Sequence, residues 1–73
     1  MNAAAAVLAQ QIIDLDGHYT RSTVRAFDKQ YRRLAGDYAD LLGELTAGEE
    51  DAALERRIGA LSARCRKLAA RVG

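Results

Sequence analysis

At 73 residues, 49% of them hydrophobic and 29% charged, with no Pro and no Trp, the chain has room for one domain with a small core. Eleven Lys and Arg against ten Asp and Glu leave a formal net charge of +1, so the whole-molecule field steers it toward neither nucleic acid nor an anionic membrane. One Cys excludes an internal disulfide framework and fits a reducing compartment, and no apolar run approaches the ~20 residues of a membrane span.

The abundance of Ala, Leu, Arg and Glu predicts an all-α chain. Met1 to Ala9 is apolar, but it lacks a basic leading segment, and Gln10, Gln11, Asp14 and Asp16 follow too soon for a secretory signal. A soluble cytoplasmic protein is the expectation. Met1, Ala5, Leu8, Ile12, Leu15 and Tyr19 alternate in steps of four and three, the 3.5-residue average that keeps one stripe on a partner. A first helix over about 2–16 follows, with Gly17 as its left-handed C-terminal cap. One continuous helix bent through Gly17 is the alternative.

The same spacing runs through Val24, Phe27, Tyr31, Leu34, Tyr38, Leu41 and Leu45, and predicts a second helix over about 20–46. Gly48 stops it. Glu49, Glu50 and Asp51 then place acid at the positive end of a third helix over about 49–72, whose stripe is Leu54, Ile58, Leu61, Cys65, Leu68 and Val72. So short a connection requires antiparallel neighbours.

Folding at Gly48 pairs the two stripes consistently. Leu45 meets Leu54, Leu41 meets Ile58, Tyr38 meets Leu61, Leu34 meets Cys65, Tyr31 meets Leu68 and Phe27 meets Val72. Every pair joins an a position to a d position, as antiparallel packing demands. Along one flank Gln30, Asp37 and Glu44 face Arg71, Arg64 and Arg57, so that each acid meets an Arg. The other flank sets Asp28, Ala35 and Leu42 against Glu55, Ser62 and Ala69, with Ala39, Ala52 and Gly59 adjoining, and its loop-proximal half is a smooth, small-residue surface. A bare two-helix hairpin has too thin a core, so this flank calls for a cover. The expected fold is therefore a short N-terminal helix plus a coiled-coil-like antiparallel hairpin, as a three-helix bundle or as a dimeric helical bundle. The expected partner interface comprises Leu8, Ile12, Leu15, Ala35, Ala39, Leu42, Gly59, Ser62 and Ala69. The partner is a second copy or an obligate protein.

Candidate chemistry is sparse. Cys65 at a seam position reads as a buried thiol, and His18 beside Gly17 reads as a linker residue. Asp14 and Asp16 lack further ligands at calcium-loop spacing. Gly36 and Gly43 lie seven apart on an outer helix face rather than in a phosphate loop. Tyr31 and Tyr38 read as seam residues with hydroxyls at its edge. No catalytic, cofactor or metal residue is expected, nor a small-molecule substrate.

Charge is segregated. Arg21, Arg25, Lys29, Arg32, Arg33, Arg64, Arg66, Lys67 and Arg71 gather at the open end against Asp28 alone, nine minus one, or +8. Around the loop Arg56 and Arg57 stand against seven acids, or −5, and Asp14 with Asp16 restores the net +1. An alternative function follows: a dimeric regulator that binds nucleic acid through Arg25, Lys29, Arg32, Arg33, Arg64, Arg66, Lys67 and Arg71, much as small Rop-type hairpin dimers bind RNA. In architecture the chain resembles the bacterial co-chaperones of type III secretion needle subunits, which also follow a short helix with a helical hairpin. That resemblance implies a non-enzymatic, chaperone-like interaction module.

Overall fold

The computed structural model describes residues 3–21, 24–46 and 52–72 and places three helices there: α1 (Ala3–Tyr19), α2 (Arg25–Thr46) and α3 (Ala52–Val72). The fold is the expected all-α bundle, about 37 Å long and 18 by 17 Å across. α1 packs chiefly on α3 and also touches α2, so the hairpin closes on its own N-terminal helix. The Ser62 hydroxyl donates to Gln11 at 2.8 Å, and the Tyr19 ring stacks on Tyr31 with centroids 4.7 Å apart. These contacts run α1 parallel to α3 and antiparallel to α2.

The core follows the seam. Phe27, Leu34 and Leu41 of α2 and Leu54, Ile58, Leu61, Cys65 and Leu68 of α3 are buried, joined by Leu8 and Leu15 of α1. Tyr31, Tyr38 and Leu45 pack at its edge, with Ala5, Ile12, Tyr19 and Ala69. The ion pairs place the register independently: Arg64 reaches Asp37 at 2.6 Å, and Arg57 bridges to Glu44. Gln30 and Arg71, the third expected pair, line one groove without a hydrogen bond between them.

Three expectations need correction. Gly17 does not cap α1. The helix runs through it to Tyr19, and the Gly17 carbonyl accepts from Thr20 Oγ1 and Arg21 Nε, both at 3.0 Å. Stacking Tyr19 on Tyr31 extends the stripe one turn and offsets the ~1 kcal/mol a helical Gly costs. His18 accordingly sits in the last turn of α1, not in a linker. Val24 is not a seam residue either: it lies ahead of α2, 58% exposed, and its carbonyl accepts the Asp28 N–H. Gly48, the acids Glu49 to Asp51, and the Val72 side chain expected opposite Phe27 lie outside the described residues.

Candidate functional site

The bundle gives the two flanks of the hairpin opposite fates. On the smooth flank α1 takes the place of an outside partner. Leu8 and Leu15 are wholly inside, Ile12 and Ala69 pack against the core, and Ser62 is spent on Gln11. These five expected interface residues therefore serve the intrachain core instead, because a helix with an apolar stripe of matching period was available in the same chain. Ala35 is half-buried, whereas Ala39, Gly59 and Leu42 keep open surface, Leu42 at 43%.

At the open end of this covered side α1 and α2 are tied by a polar and aromatic latch. Tyr31 donates its hydroxyl to Asp16 at 2.8 Å, and Phe27 stacks beyond it at 6.1 Å. Burial, then the Asp16 carboxylate, pushes the Tyr31 phenol up to about 12. Arg32 donates to Asp28 and to the Tyr19 hydroxyl, each at 3.1 Å. The Arg32 hydrogen bond holds the Asp28 carboxyl below its ordinary range. Asp14 accepts from Gln10, an i,i+4 pair within α1. α1 thus brings Asp14 and Asp16 to the basic end and lowers its charge from +8 to +6.

The far flank has no third helix. Between α2 and α3 a groove of about 490 Å³ is lined by Gln30, Arg33, Leu34, Arg64, Lys67, Leu68, Ala70 and Arg71. It continues through the shared Gln30, Leu68 and Arg71 into a second hollow of about 460 Å³, where His18, Arg21, Val24 and Phe27 join the wall. Among the described residues no carboxylate lines either hollow. Among the described residues Arg64 spends one donor on Asp37 and Arg21 donates to a backbone carbonyl, while Arg33, Lys67 and Arg71 make no ion pair or hydrogen bond. The helical repeat explains the clustering. Arg64, Lys67 and Arg71 are three and four residues apart, hence one face of α3, and Arg33 stands across the seam on α2.

Of the eight cations expected to form a basic end, the structure gathers Arg33, Arg64, Lys67 and Arg71 around this groove. Arg25 and Lys29 are exposed but do not line it, Arg32 belongs to the latch, and Arg66 donates to Ser62 at 3.0 Å. Arg21 and His18, at the groove mouth, were absent from the sequence-based set. Arg21 already counts with the open end in the sequence, whereas His18 reads there as a linker residue and reaches the groove mouth because α1 continues through Gly17. The Cys65 thiol is buried and its pKa is raised, first by that burial. Among the described residues no group of three or more His, Cys, Asp or Glu is placed to hold a metal ion, and no helix is long and apolar enough to cross a membrane. Comparison with protein families, curated proteins and solved structures returns no match for this chain.

Proposed function

We propose that the protein is a non-enzymatic interaction module, an assembly factor or regulator, and that its working surface is the basic α2–α3 groove. One observation carries the reading: among the described residues cations line the groove, no carboxylate does, and Arg33, Lys67 and Arg71 make no ion pair or hydrogen bond. Surface cations without a partner concentrate field in a concave wall and select anionic partners. The single buried thiol supports action in a reducing, cytoplasmic setting. Retention on immobilised heparin at low salt tests the surface. R33Q/K67Q removes two groove cations and R25Q/K29Q removes two outside it, an equal change in charge. The groove variant is expected to elute at clearly lower salt; co-elution of the two contradicts the assignment.

A second reading, packing of another protein or a second copy, rests on different residues. Leu42 on α2, with Ala39 nearby, and Ile13 on α1, 62% exposed, leave apolar surface uncovered. Sedimentation equilibrium checks it: Leu42→Glu should shift an oligomer toward monomer, and a monomeric wild type across the accessible concentration range contradicts it.

A further inference from the structure

Taking the basic groove as the working surface, we infer that its ligand is the phosphodiester backbone of duplex nucleic acid, gripped without reading base sequence. Three features separate this ligand from an acidic protein segment. At the groove floor Phe27, Leu34 and Leu68 are already 2% exposed each, so the apolar surface left to bury comes from Val24, Ala26 and Ala70. A protein interface needs an apolar centre, whereas a polyanion needs donors and charge. The wall is rich in Arg, whose planar fork matches a phosphate with two parallel hydrogen bonds, and Gln30 adds a neutral donor.

Spacing and shape narrow the ligand further. Arg64 to Arg71 spans seven residues, or about 10 Å of helix at 1.5 Å each. Arg33 stands opposite that stretch on α2, so four cations share one short patch. Tyr19 and Tyr31, which would stack unpaired bases, are locked to each other on the covered side. A single strand would find only the buried Phe27 ring and the half-buried His18 in the groove wall, with no Tyr or Trp among its lining residues. Beyond the groove, toward the loop end, α2 carries Asp37, Asp40 and Glu44. A polyanion cannot lie along the rod and must cross it, which limits the contact to about four cations.

Fluorescence anisotropy with short labelled duplex DNA and duplex RNA, and with a poly-glutamate peptide of similar charge, tests this at two salt concentrations. Four neutralised phosphates give a log–log salt slope of about −3.6, hence about 150-fold weaker binding at 200 mM than at 50 mM salt. R33Q/K67Q/R71Q keeps Arg64 on Asp37, so its helical circular dichroism should be unchanged. It is expected to lose at least tenfold in affinity at 50 mM, and its slope should fall toward about −0.9. Binding to DNA and RNA duplexes alike supports backbone recognition, and binding to one alone overturns it. Equal or tighter binding of poly-glutamate overturns the nucleic-acid inference and leaves the groove as the working surface. Absence of binding to all three overturns both.

Discussion

The two flanks of the α2–α3 hairpin began as near equivalents, since any antiparallel helix pair presents two grooves. One is walled by Ala35, Ser62 and Ala69, the other by Asp37, Glu44, Arg57 and Arg64. Small walls admit another helix to close range, and α1 fills that groove with Leu8 and Leu15. Charged walls already satisfied across the seam deny a helix the contact it needs. The charged groove therefore stays open, and among the described residues no acid pairs with Arg33, Lys67 or Arg71 beyond the last ion pair. Stability belongs to the covered flank, and the proposed selectivity toward partners to the open one.

The largest expected effect falls on the covered flank. Leu15→Ala or Leu8→Ala removes a fully buried side chain and should cost about 2–5 kcal/mol in denaturant unfolding, a large part of what a domain this small possesses. A smaller loss would mean that α1 is not a full member of the core. Next, Tyr31→Phe deletes the latch hydrogen bond and should cost about 0.5–1.5 kcal/mol near neutral pH. The folded-state phenol titrates at about 12, above its ordinary value of 10.0. Its stabilisation is therefore complete below pH 10 and drains away as pH rises through about 12. The gap between wild type and variant should close across that window, and a gap independent of pH would remove the Asp16 contact from the account.

Glycine substitutions act in the opposite direction. Gly17 lies inside α1, and a methyl group there meets only Arg21 Nη2 at 3.8 Å, while Gly36 and Gly43 have open space. Each change to Ala should add about 0.8–1 kcal/mol, and a destabilising Gly17→Ala would restore the cap that the helix path denies. The smallest effects belong to the open flank. D37R/E44R should destabilise by roughly 0–1 kcal/mol per lost pair, and R57E/R64E added to it should restore the melt. Both ion pairs are about half exposed, so they select register more than they stabilise.

Much of the hairpin was legible because its period is strict. Alternating steps of three and four leave one way to fold at Gly48, and Asp37 opposite Arg64 follows from that fold alone. The stripe of α1 was equally plain, yet its end was not. A Gly after Leu15 carries the same local signal whether it caps a helix or lies inside one. Only the tertiary stack of Tyr19 on Tyr31 decides between them. Val24 fitted the spacing but precedes the first turn, where no seam yet exists. For the site, the sequence located a basic end without its sidedness. Which flank stays open depends on where α1 packs: Leu8 and Leu15 fill the smooth flank, and only the last turn of α1, through His18, reaches the groove mouth. The smooth flank was rightly read as incomplete; its cover came from within the chain.

The central claim is that α1 covers its own hairpin and thereby leaves the charged groove as the free face. An isotope-filtered nuclear Overhauser experiment, on a mixture of labelled and unlabelled protein, tests it most directly. The Tyr19–Tyr31 ring contact, 4.7 Å between centroids, should appear only within a chain. If that contact appears between labelled and unlabelled chains, α1 packs on a neighbour and the claim fails.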